Sequence, residues 1–134
     1  MTTAYVESSA LVKLVHAEPE TDALRGALGS EDALVSSDLA VVEVSRAVTL
    51  SDGDEGLARS RAALLRFNLL PVDRLIIEDA ATLSPATLRS LDAIHVATAR
   101  ALDAPDLVFY SYDSRTIEAA RSNGLVTASP GARA

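Results

Sequence analysis

Four acids in this chain of 134 residues, Glu7, Glu43, Asp92 and Asp113, stand where a strand gives way to a helix or where a helix offers little else that is polar. Glu7 follows the short apolar run Ala4-Tyr5-Val6 and precedes Ser8-Ser9 and a helix in which Leu11, Leu14 and Val15 recur at helical spacing, with Ser8 or Ser9 as its N-cap. Asp113 repeats the placement behind the buried strand Leu107-Val108-Phe109-Tyr110 and the link Ser111-Tyr112. Glu43 falls among Leu39, Ala47 and Leu50 in the apolar arc of a helix whose polar side holds Ser45, Arg46 and Thr49. A lone carboxylate there is costly unless it is paired or bound to a metal. Asp92 opens a helix that is apolar almost all round. Gathered without a counter-ion, such carboxylates repel one another and raise each other's pKa, a penalty that Mg²⁺ or Mn²⁺ removes while favouring oxygen ligands. A carboxylate-only site suits two-metal phosphodiester chemistry.

Each acid also has a simpler use. Glu7 and Asp92 would complement the positive end of a helix dipole, Asp113 would serve as an ordinary N-cap, and Glu43 could pair with Arg46 three residues on. His95 points away from Asp92 on the same helix and His16 ends the first helix, so both read as structural.

Positioning these residues requires strands that alternate with helices. The pattern predicts a helix over 19–28 that stops at Gly29, a strand at Ala33-Leu34-Val35, and a helix over 39–50 capped by Ser36, Ser37 or Asp38. A solvated polar turn, Ser51 to Gly56, joins it to a helix over 57–67 that carries Arg59 and Arg66 on one face. A strand over 69–73 contains Pro71, which suits a sheet edge. Helices over 75–83 and 88–102 follow on either side of Ser84-Pro85, the second with Ser90 as its N-cap. After Asp113 comes a helix ending at Asn123-Gly124, then a short strand at Leu125-Val126. Such alternation gives an α/β fold with a parallel sheet, whose ligands sit beyond the carboxyl ends of the strands. One domain over 1–127 and a flexible tail over 128–134 account for the chain.

The net charge is −7, with eleven Arg against the single Lys13. That balance excludes a protein that coats nucleic acid by neutralising phosphates, and three Tyr, two Phe and no Trp make a poor stacking platform. Four acids that bind cations would bring the remainder to about −3, so the charge leaves a nuclease open. No cysteine is present, no basic-then-apolar leader opens the chain, and no window approaches the roughly 20 apolar residues of a membrane span. The expectation is a soluble cytoplasmic protein.

Four short motifs, in order and at matching spacing, carry a resemblance: Glu7-Ser8-Ser9-Ala10-Leu11-Val12, then Val42-Glu43-Val44, then Leu91-Asp92-Ala93 continuing to Ala97 and Ala99, then Ser111-Tyr112-Asp113. Across nearly its whole length the chain resembles the PIN-domain ribonucleases, and in particular the VapC-type toxins of bacterial toxin–antitoxin pairs. The resemblance implies a PIN-like three-layer α/β/α sandwich with a central, mostly parallel sheet of four or five strands. It implies a metal-dependent endoribonuclease that cuts single-stranded or loop RNA, restrained by a cognate VapB-like antitoxin, and a homodimer with no membrane association. Glu7, Glu43, Asp92 and Asp113 would hold Mg²⁺ or Mn²⁺, Ser9 and Ser111 would orient the carboxylates or reach the metal, and Arg115 would contact a phosphate. One departure stands out, since the family's first acid is usually Asp and this chain has Glu7; a binding module that has lost cleavage is therefore the alternative. A phosphoacceptor receiver domain, which also sets acids at strand ends, needs a Lys near its last strand, and Lys13 is far from it.

Overall fold

The computed structural model describes residues 1–133. Its centre is strand β1 (Thr3–Val6), buried along its whole length and paired in parallel with β2 (Ala33–Ser37) on one side and β4 (Leu107–Tyr110) on the other. The edges are β3 (Asn68–Leu70) beside β2 and β5 (Val126–Ala128) beside β4, so all five strands run parallel. A sheet of this kind must be covered on both faces, which is why its central strands read as apolar runs without alternation.

Side-chain alternation along β1 and β4 divides the core in two. Ala4, Val6 and Tyr110 pack with helices α1 (Ser8–Val15), α2 (Thr21–Gly29) and α3 (Leu39–Leu64). Tyr5 and Phe109, whose rings stack at 5.4 Å, face the other way, towards α5 (Ser90–Ala101) and α6 (Ser114–Ser122), with Leu83 just beyond α4 (Arg74–Ala81). The result is the three-layer α/β/α sandwich, with the sheet wholly parallel.

Several local expectations need correction. The second helix starts at Thr21, not Pro19, and the third strand ends at Leu70, leaving Pro71 just outside the edge ladder. The N-cap of α1 is Glu7, whose carboxylate accepts from the Ser9 backbone N–H, and neither serine takes that place. Ser90 is the first residue of α5 behind Arg89 rather than its cap. Ala128 closes the last strand, and Ser129 and Pro130 are hydrogen-bonded to the link after β4: Ser129 Oγ donates to the Ser111 carbonyl at 2.6 Å, and the Tyr112 hydroxyl donates to the Pro130 carbonyl at 2.7 Å.

The polar turn exists, but it is tighter and better anchored than a solvated link. Helical geometry runs through Leu39–Leu64 except at Gly53 (φ 65, ψ −149), where the chain doubles back. The hydroxyls of Ser45 and Ser60 lie 3.5 Å apart, whereas fifteen residues of straight helix would separate them by about 22 Å. Gly56 allows the two arms to meet, because a Cβ there would sit 2.6 Å from the Val48 carbonyl oxygen. Asp52 accepts from His16 Nδ1 at 2.8 Å and from Arg59 Nη2 at 2.7 Å, fastening the hairpin to the end of α1.

Candidate functional site

The carboxyl ends of β1 and β4 lie side by side, with Val6 opposite Tyr110, and two of the candidate acids, Glu7 and Asp113, follow these strands as helix caps. Glu7 is the first residue beyond β1, its backbone N–H donating to the Tyr110 carbonyl at 3.0 Å. Its side chain is only 4% exposed, because it curls back over the start of α1. Oε2 accepts from the Ser9 N–H at 3.0 Å, while Oε1 accepts from the Ser111 hydroxyl at 2.6 Å and from the Ser9 hydroxyl. Ser9 Oγ in turn accepts from the Tyr112 N–H at 2.9 Å, and Ser111 Oγ from the Asp113 N–H at 3.2 Å. Both serines singled out in the sequence thus hold Glu7 and stitch the β1 and β4 ends together.

Glu43 lies on the first arm of α3, and its partners are Ser8 and His95, not Arg46. Oε1 accepts from Ser8 Oγ and from His95 Nε2, each at 2.6 Å. His95 is fully buried, with Nδ1 2.7 Å from the Tyr5 hydroxyl. A carboxylate only accepts, so the network assigns the ring proton to Nε2 and leaves Nδ1 to accept from Tyr5. Burial, then the charge of Glu7, pushes the Tyr5 hydroxyl well above its usual pKa, which keeps it a donor. For Glu43 itself burial acts upwards, but the hydrogen bonds from His95 and Ser8 outweigh it and hold the carboxyl below its ordinary value. The expected mutual elevation of crowded carboxylates does not occur at this position.

Asp92 and Asp113 are organised differently. Asp92, in the first turn of α5, accepts from Arg89 Nε at 3.1 Å; Asp113 accepts from Arg89 Nη2 at 3.2 Å. Asp113 is also the N-cap of α6, taking the Arg115 N–H and the Thr116 hydroxyl, each at 3.1 Å. The simpler reading of Asp113, an N-cap, therefore holds. Contact with Asp92, and then the charge of Asp113, raises the Arg89 guanidinium further above its already high pKa, so it stays charged. Arg115 helps to line a groove with Ser84, Pro85, Leu88 and Glu118.

All four acids offer the hard oxygen donors that Mg²⁺ or Mn²⁺ takes, and two of them already share one cation, the guanidinium. Among the described residues, no three acidic or histidine side chains stand close enough to form a ready ligand set. The acids instead form two halves, Glu7 with Glu43 through the adjacent Ser8 and Ser9, and Asp92 with Asp113 through Arg89. Tyr5, Ser8, Arg89 and His95 escaped assignment to the site from sequence. Of these, only Arg89 carried a local signal, as a base three residues before Asp92 at a helix start.

A description of the PIN domain matches residues 4–122. The chain belongs to the PIN-domain family. Relatives place this PIN domain in the VapC branch: it is 42% identical to Ribonuclease VapC46 of Mycobacterium tuberculosis over 97% of this chain and 99% of that one, and 40% identical to Ribonuclease VapC35 of the same species over 95% and 96%. The fold agrees. VapC20 of M. tuberculosis, described as a Sarcin-Ricin loop cleaving toxin, superposes with a TM-score of 0.74 at 15% identity over 92% of this chain and 96% of that one. VapBC2 of Rickettsia felis, solved on a fragment of promoter DNA, gives 0.75 at 12% identity over 95% and 98%.

Proposed function

We propose that this PIN domain is the RNA-cleaving toxin of a toxin–antitoxin pair, a Mg²⁺- or Mn²⁺-dependent endoribonuclease of the cytoplasm, inhibited by a cognate VapB-like antitoxin and active as a homodimer. What supports the reading is that a PIN domain 42% identical to a ribonuclease VapC sets Glu7 and Asp113 just beyond β1 and β4, with Glu43 and Asp92 on helices beside them. Bound there, a divalent cation would supply an activated water and charge compensation at the scissile phosphate. The chain's own groups do the positioning. Ser9 and Ser111 aim the Glu7 carboxylate, Ser8 and His95 aim that of Glu43, and the buried Tyr5 keeps His95 in one orientation. Arg115, two residues beyond Asp113, would take a backbone phosphate.

One feature favours the rival reading, a binding module without cleavage: both Glu7 oxygens are engaged in capping α1 and receiving Ser111. Mn²⁺ titrations of RNA cleavage by the wild type, Glu7→Asp and Glu7→Gln separate the two. Under the toxin reading the wild type cleaves, Glu7→Asp cleaves at equal or lower Mn²⁺, and Glu7→Gln loses activity. If only Glu7→Asp cleaves, the binding module stands in its place.

A further inference from the structure

Arg89 sits in extended backbone just ahead of α5 and spans two acids that belong to different helices. Its geometry is unequal to theirs. The guanidinium side chain is 66% exposed, whereas those of Asp92 and Asp113 are 13% and 25% exposed, so the acids are set into the fold and the cation reaches them from solvent. It gives each carboxylate a single N–H, which leaves the remaining donors of a five-donor fork uncommitted. The bridge is mechanically cheap to open, since withdrawing Arg89 uncovers no core. Among the described residues Glu7 and Glu43 have no comparable partner: their donors are hydroxyls, a backbone N–H and a buried imidazole.

We infer that Arg89 is a built-in competitor for the metal, neutralising Asp92 and Asp113 until a divalent cation takes these carboxylates, and that the released guanidinium then holds a phosphate of the bound RNA strand. The inference rests on the metal-dependent reading of the four acids given above. Displacement follows from charge and geometry, because a divalent ion bonds carboxylate oxygens directly while an exposed Arg pair is weak. A fork shaped for carboxylates fits phosphate equally well, so the freed side chain has a chemically matched second partner within its own reach. Metal entry and RNA capture would thereby be coupled through one side chain.

Calorimetric titration of Mn²⁺ into metal-stripped wild type, Arg89→Gln and Arg89→Lys, without RNA, reads the first half. Anisotropy of a labelled single-stranded RNA with Ca²⁺ in place of Mn²⁺ reads the second. Arg89→Gln should bind Mn²⁺ about 3- to 10-fold more tightly, as expected for removing a weak exposed competitor, and should bind RNA several-fold more weakly. Arg89→Lys keeps the charge without the fork, so its Mn²⁺ affinity should stay near wild type while RNA binding falls. Equal or weaker Mn²⁺ binding by Arg89→Gln overturns the competition, and unchanged RNA binding overturns the phosphate role. If none of the three proteins binds Mn²⁺, the metal site itself fails and takes the inference with it, an outcome distinct from tight but unaltered binding.

Discussion

The two halves of the candidate site are held by opposite means. Glu7 and Glu43 are gripped from inside, by Ser8, Ser9, Ser111 and a histidine that is itself fixed by Tyr5 beneath the sheet. Asp92 and Asp113 are bridged from outside by one exposed arginine. A buried network is costly to leave half-satisfied and so keeps its geometry, whereas an exposed ion pair contributes little and exchanges readily. The first half is therefore preorganised and the second adjustable. That combination suits a site which must keep its shape while its charge partner changes.

The contrast can be broken most severely at His95. Replacing it with Ala would leave the Tyr5 hydroxyl and Glu43 without their partner and open a cavity under the sheet, at a cost of about 3–5 kcal/mol. Urea unfolding should show it; a change near zero would mean that the buried network holds nothing. In the adjustable half, Asp92→Asn should lower RNA cleavage about 100-fold or more, since disturbing even an indirect partner of a metal costs 10- to 100-fold. Its melting temperature should hardly move, and unaltered cleavage would remove Asp92 from the chemistry.

Glu43→Gln sharpens the same distinction, and here the structure reverses the expectation of relieved carboxylate repulsion. The amide loses the charge-assisted bonds from His95 and Ser8, which should cost about 1–3 kcal/mol at neutral pH. Because the folded-state pKa of Glu43 lies below its ordinary value of 4.5, this contribution is present above that value and lost as pH falls through the folded pKa. Melting curves of wild type and mutant should therefore converge below about pH 4.5. A gap that persists at lower pH would point to packing rather than charge. The smallest effect belongs to Arg89→Gln, which should leave the melting temperature of the metal-free protein unchanged within error; a clear drop would show that the outer bridge holds the fold.

The strand order of chemistry along the chain was legible because it rests on local signals: apolar runs that end in an acid, and a carboxylate stranded in an apolar helical arc. What joins the acids was not. Glu43 and His95 are 52 residues apart and meet only because α3 and α5 close on the same edge of the sheet, and Arg89 reaches Asp113 across 24 residues by the same means. Glu7 illustrates a missed local rule. Its carboxylate folds back onto the Ser9 N–H, as that of Asp113 does onto the Arg115 N–H, so the residue expected to sit before a serine cap became the cap. The Gly53 reversal was anticipated as a polar turn, but Asp52 acquires His16 and Arg59 only through the packing of α1 against the hairpin.

The pairing of β1 with β4 has a consequence for how the molecule is made. The first strand leaves the ribosome with residues 3–6, yet the neighbour that sets Glu7 beside Asp113 arrives only at residues 107–110. Long-range parallel pairing of this kind closes late. A nascent chain thus carries Glu7 and Glu43 with no opposing half until residues 107–110 follow, and Asp113 needs α6 behind it before it is held as a cap. A chain that stops short of β4 therefore holds Glu7 and Glu43 without the half of the candidate site that faces them.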